Sequence, residues 1–318
     1  MGNAAETPAQ AAQRASRSEP ARNPGGRLDL RWLETVSMDG AALEREAAAR
    51  PDLPDAERTE WLARALGMID LTTLSGDDTP ERVRTLAATA RAPLPEDLAR
   101  RIGQEERTVA AVCVYHAMIP AAREGLAGTD IPVAAVSAGF PHGLSPLRAR
   151  IVEIEESVRA GAAEIDVVIP RHLALAGDWR TLHDELAAFR DACGPAHLKV
   201  ILSTGELGDA TTIARAALVA MMAGADFVKT STGKEAVNAT LPAGLAMMRA
   251  IRDYRDRTGH EVGFKPAGGI SKAEDALAWL ALLRRELGEA WLTPARFRFG
   301  ASSLLADIAR ALEEAAPA

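Results

Sequence analysis

From Gly67 almost to its end, the chain alternates short β-branched apolar runs with longer stretches of helical period. The apolar runs fall at 68–74, 108–115, 132–138, 164–169, 197–203, 226–230, 261–265 and 297–299, eight in all. Between them lie helical patterns at 148–160, 179–191, 211–223, 242–257 and 273–287, and a last one starts at Ser303. Strict alternation demands a parallel sheet, because a helix must carry the chain back over the sheet before each new strand can begin. Eight such units in roughly 250 residues fit a closed (β/α)8 TIM barrel better than a doubly wound open sheet, which tends to stop at five or six strands. No GxGxxG follows any of the strands, which supports the same choice.

The flanking sequence behaves differently. Residues 1–26 contain no Val, Ile, Leu or aromatic side chain and are expected to form a disordered tail. Arg14, Arg17 and Arg22 with Ser16 and Ser18 faintly resemble a transit peptide, but Glu6 and Glu19 oppose that, and a cytoplasmic location is the reading. Residues 27–66 show helical spacing through Trp32, Leu33, Val36, Leu43, Trp61, Leu62 and Leu66, broken at Pro51 and Pro54. The expected organisation is a tail, a helical extension over 27–66 and a barrel over 67–318. The 318 residues carry 37 Lys and Arg against 44 Asp and Glu, a net charge of −7 with no basic run, which argues against a nucleic-acid partner. No uncharged apolar stretch is long enough to span a membrane as a helix. Cys113 and Cys193 lack CxxC spacing and the six histidines lack metal spacing, so free thiols and no metal are expected.

A barrel places its chemistry where strands end and βα loops begin. The feature needing explanation is charge inside strands: Asp166, Lys199, Lys229 and Lys265 each interrupt an apolar run. One such lysine could point outward or pair with a carboxylate, but three on successive strands make that account weak. A buried lysine beside a second cation loses its proton more easily, and the free amine attacks a carbonyl to form a Schiff base. Moving a pKa from ~10.4 to about 7 requires about 4 to 5 kcal/mol, within reach of desolvation plus a like charge. Asp166 could then move protons, and Asp70 could orient a substrate hydroxyl. Gly268 and Gly269, with Ser271 as a helix cap and Ser302 and Ser303 leading into the last helix, suit a small anion such as phosphate.

Several strings here resemble the deoxyribose-phosphate aldolase family: Ile69-Asp70-Leu71-Thr72-Thr73-Leu74, Glu164-Ile165-Asp166-Val167-Val168, Phe227-Val228-Lys229-Thr230-Ser231-Thr232-Gly233-Lys234, Val237-Asn238-Ala239-Thr240, Gly263-Phe264-Lys265-Pro266-Ala267-Gly268-Gly269 and Phe299-Gly300-Ala301-Ser302-Ser303. They run in the family's order from Asp70 to the last helix, and the segments at Leu28–Trp32 and Asp70–Thr79 resemble its longer, animal-type branch. The resemblance implies a class I aldolase that reversibly cleaves 2-deoxy-D-ribose 5-phosphate to glyceraldehyde 3-phosphate and acetaldehyde, in deoxyribonucleotide catabolism, without metal or organic cofactor. It implies Lys229 as Schiff-base lysine, Lys265 as the neighbouring cation and Asp166 as proton donor and acceptor. Lys234, Gly268, Gly269, Ser302 and Ser303 would surround the phosphate, and Asp70, Thr72, Cys113, Lys199, Thr230 and Gly300 would lie at the substrate, with Lys199 an ionic partner of Asp166 and Cys113 equally open to a reading as a small buried strand residue. His116 stands where the family pattern carries proline, and neither it nor His142 is given a catalytic role. A homodimer is the family-level expectation. The alternatives are another Schiff-base barrel, such as a transaldolase, and a phosphate-binding barrel without turnover.

Overall fold

The computed structural model describes residues 22–49 and 54–316. Eight short strands form its centre: β1 (Ile69–Thr72), β2 (Ala111–Tyr115), β3 (Val133–Ser137), β4 (Glu164–Val168), β5 (His197–Ile201), β6 (Phe227–Lys229), β7 (Gly263–Lys265) and β8 (Phe299–Ala301). Neighbours in the chain are neighbours in the sheet, all parallel, and β8 returns to pair with β1. The seam between β7 and β8 is held by the Arg298 N–H on the Phe264 carbonyl at 3.1 Å and the Gly300 N–H on the Pro266 carbonyl at 2.9 Å, so the sheet closes into the expected barrel. β8 begins two residues later than the apolar pattern predicts, because Phe297 makes only an isolated bridge to Phe264.

Helices α4 (Pro80–Arg91), α5 (Glu96–Arg101), α6 (Ile119–Gly125), α7 (Leu147–Arg159), α8 (Arg171–Leu175), α9 (Trp179–Cys193), α10 (Ala210–Met222), α11 (Leu241–Thr258), α12 (Ala273–Leu287) and α13 (Leu304–Ala315) surround the strands. Their starts follow local chemistry: Thr79, Asp178, Asp209 and Thr240 each cap a helix by accepting from its first-turn backbone N–H groups. Gly244 lets α11 and α12 approach closely, since a Cβ there would sit 2.3 Å from the Trp279 ring. Met221, Met222, Met247 and Met248 are core residues, as is Trp291, whose indole N–H donates to the Val262 carbonyl at 3.0 Å.

The extension folds as α1 (Leu30–Thr35), α2 (Gly40–Ala47) and α3 (Asp55–Leu66). Pro54 stands at the N-cap of α3, where a missing N–H costs nothing, while Pro51 lies outside the described residues. α2 packs on α11, and α3 packs on α12 and α13. The expected tail lies outside the described residues up to position 21, but its last residues are packed. The Asn23 amide is buried, donating to the Met221 and Ala225 carbonyls at 2.7 and 2.9 Å and accepting from the Tyr254 hydroxyl at 3.0 Å. A contact made by one polar side chain leaves no trace in an apolar pattern. Among the described residues no helix is long and apolar enough to cross a membrane.

Buried apolar side chains divide into two clusters. The large one lies between strands and helices and takes the outward residues of the pleat, such as Val200, Val228 and Phe264. The small one, inside the barrel, is Cys113, Ala134 and Val136, so much of the interior is left to charged side chains.

Candidate active site

Strand register brings the strand charges together. Lys229 pairs with Lys265 across β6 and β7, and Asp166 pairs with Lys199 across β4 and β5, and partners in a parallel ladder present their side chains to the same face. One carboxylate oxygen joins the set: Asp166 Oδ2 accepts from Lys229 Nζ and from Lys265 Nζ, each at 2.8 Å. The two lysine nitrogens are therefore two hydrogen bonds apart. Asp166 Oδ1 faces Lys199 Nζ at 3.3 Å, the ionic pairing expected for that lysine.

The same neighbours push the two lysines in opposite directions. Burial, reinforced by the charge of Lys265 and opposed by Asp166, holds Lys229 below the ordinary lysine pKa. For Lys265 burial acts the same way, but Asp166 and Asp70 outweigh it, and its pKa lies well above the ordinary value. Burial would raise the Asp166 carboxyl, yet Lys199, Lys229 and Lys265 hold it far below the usual carboxylate range. The surroundings thus favour the charged forms of Asp166 and Lys265, and of the two lysines that share Asp166 Oδ2, Lys229 is the one whose proton is held less firmly.

A cavity of about 350 Å³ opens at the C-terminal ends of β1, β6, β7 and β8. Of the three barrel lysines, only Lys229 reaches its wall. Thr72, Lys234, Gly268, Gly269, Gly300, Ser302 and Ser303 also line it, as the sequence leads one to expect. Gly268 and Gly269 have φ of +81° and +78°, the left-handed region, and a Cβ on Gly268 would collide with Asn238 at 2.7 Å. Ser303 is the N-cap of α13, so the first turn of that 12-residue helix points its free N–H groups at the cavity. Lys234 Nζ donates to the Leu74 carbonyl at 2.9 Å, linking the loops after β6 and β1 across the mouth.

Four expected substrate contacts stand elsewhere. Asp70, Cys113, Lys199 and Thr230 are fully buried and do not line the cavity. Asp70 is consumed by cations, Cys113 belongs to the apolar cluster, and Thr230 ties β6 to the glycine loop by accepting the Ala267 N–H at 3.0 Å. Ser271 is not the cap of α12; the cap is Lys272, whose N–H donates to Asp275 Oδ2 at 3.3 Å. His116 bonds to Ser157 at 3.1 Å and His142 to Arg171 at 3.3 Å, both away from the cavity wall.

Other site residues escape the sequence reading. Glu235 shapes the loop that carries Lys234, accepting from the backbone N–H groups of Thr232 and Gly233 at 3.0 and 3.1 Å. Asp78 shapes the loop after β1 through Thr73 and Ser75. Arg298 and Glu164 lie buried at the opposite end of the barrel interior. Each is a charge inside an apolar strand pattern, the signal that marked the lysines.

Comparison with known proteins is consistent with this geometry. A family model described as DeoC/LacD family aldolase matches residues 64–309. The deoxyribose-phosphate aldolase of Homo sapiens is 51% identical over 297 residues, covering 91% of this chain and 93% of the relative. That of Mus musculus is 53% identical over 293 residues, covering 90% and 92%. A crystal structure of deoxyribose phosphate aldolase from Aeropyrum pernix, described as tetrameric, superposes with a TM-score of 0.57 at 22% identity, covering 87% of this chain and 99% of that one.

Proposed function

The chain belongs to the DeoC/LacD aldolase family, and we propose from that premise that it reversibly cleaves 2-deoxy-D-ribose 5-phosphate to glyceraldehyde 3-phosphate and acetaldehyde through a Schiff base on Lys229. The observation that carries the mechanism is that Lys229 alone of the three barrel lysines borders the cavity while sharing Asp166 Oδ2 with Lys265. As a neutral amine, Lys229 donates one N–H to Asp166 and turns its lone pair to the open-chain aldehyde carbon. Loss of water from the carbinolamine gives the iminium, which draws electrons from the C2–C3 bond as the C3 hydroxyl loses its proton. Glyceraldehyde 3-phosphate leaves, the enamine takes a proton at C2, and water releases acetaldehyde and restores the amine. Asp166, with Lys265 hydrogen-bonded to it, is the group placed to accept and return these protons. The two thiols, Cys113 and Cys193, are free and buried, which fits a reducing, cytoplasmic setting.

Borohydride reduction in the presence of acetaldehyde, followed by intact mass and peptide mapping, tests the reading. A single ethyl group on Lys229 is expected; folded protein with no adduct on any lysine would refute it. The phosphate end is tested separately. Lys234→Ala should raise KM for deoxyribose 5-phosphate roughly ten- to a hundredfold, the worth of a hydrogen bond to a charged group, and leave the weak reaction with unphosphorylated deoxyribose nearly unchanged. Equal losses on both substrates would place Lys234 outside the phosphate site.

A further inference from the structure

Arg298 and Glu164 have no part in the steps above, yet both are buried charges at the floor of the barrel, opposite the cavity. Arg298 Nη1 donates to Asp70 Oδ1 at 2.6 Å and Nη2 to Glu164 Oε1 at 2.9 Å. Glu164 also pairs with Lys199, which reaches Asp70 at 2.9 Å and Asp166 at 3.3 Å. Asp70 Oδ2 in turn accepts from Lys265 at 2.5 Å. An unbroken run of ion pairs thus leads from the floor to the carboxylate that holds Lys229.

The charges in this run can be counted. Asp70, Glu164 and Asp166 supply three negative charges; Arg298, Lys199 and Lys265 supply three positive ones. The set is balanced before Lys229 is considered, and a proton on Lys229 would leave one uncompensated cation in a buried interior. Among the described residues the other inward strand positions add no formal charge: β2 contributes Cys113, β3 contributes Ala134 and Val136, and His197, in register with Glu164, sits at the floor. Lys234 and Glu235 belong to the loop at the open mouth. We propose that Arg298 and Glu164 are a positioning pair which sets the charge balance of the barrel interior so that Lys229 stands as a neutral amine, ready to attack a carbonyl at neutral pH.

This inference rests on the reading of Lys229 as nucleophile, and the experiment separates the two. The pH dependence of kcat/KM for retro-aldol cleavage, and of the rate of reductive trapping with acetaldehyde, is measured for the parent and three variants. Arg298→Gln leaves the interior one negative charge in excess with Lys229 neutral, so its profile should move alkaline by about one pH unit. Glu164→Gln leaves one positive charge in excess, so its profile should move acid by about the same amount. The double variant restores the balance and should return to the parent profile, although both original side chains are gone. A purely structural pair would lower yield or amplitude in both single variants without opposed shifts; shifts in one direction, or none, overturn the proposal. Should Arg298→Gln fail to fold, the acid shift of Glu164→Gln and the unshifted double variant decide it, and a double variant shifted from the parent refutes it. No adduct on Lys229 in the parent would instead remove the premise.

Discussion

Lys229→Leu is expected to fold like the parent and to lose about four orders of magnitude or more in kcat/KM, with no adduct after borohydride reduction in acetaldehyde. Without the amine there is no covalent path, and neither neighbouring lysine can substitute. Lys199 and Lys265 are fully buried, do not border the cavity and are held as cations by carboxylates. Folding should survive because Asp166 keeps Lys199 and Lys265 as partners. Circular dichroism and a urea midpoint would check the fold, and a coupled assay for acetaldehyde the rate. Residual activity within tenfold of the parent, or trapping on Lys199 or Lys265, would place the nucleophile elsewhere.

Lys265→Leu should also give a folded protein, but one that forms its imine slowly at neutral pH. Asp70 retains Lys199 and Arg298, and Asp166 retains Lys199 and Lys229, so no carboxylate is stranded. What changes is the proton on Lys229. Removing the like charge that destabilises its ammonium form raises its pKa, and the attraction of Asp166 then acts with less opposition. A higher pKa leaves less neutral amine at any pH below it. Trapping should therefore slow at pH 7 and recover as pH rises through the new pKa, while the parent profile flattens at lower pH. Retro-aldol turnover should remain impaired even in alkali, because Lys265 also hydrogen-bonds the carboxylate that handles the protons. Parent-like trapping at pH 7 with lost turnover would confine Lys265 to proton transfer.

The fold was legible because burial imposes periods on sequence. A strand covered on both faces must be apolar nearly throughout, and the helix that returns over it must show a 3.6-residue stripe, so eight repetitions of the pair left little else to build. Lys229, Lys265 and Asp166 stood out for the same reason, since charge is costly in such a strand without partners or a reaction to perform. Arg298, two residues before Gly300, and Glu164, at the start of β4, carry the same signal, but at the end of the barrel where chemistry is not expected.

Local sequence, then, determined the barrel, the strands that carry charge and the small residues of an anion loop, because each depends on spacing along one stretch of chain. It could not say which lysine meets the cavity, that Asp70 is shared by Lys199, Lys265 and Arg298, or that Asn23 is locked under α10 and α11. Those depend on register and depth: parallel pairing sets Lys229 beside Lys265, and closure at the β7–β8 seam sets Arg298 against Asp70 and Glu164. Coulombic energy varies with distances between strands far apart in the chain, so only the closed barrel decides which of its three lysines gives up its proton.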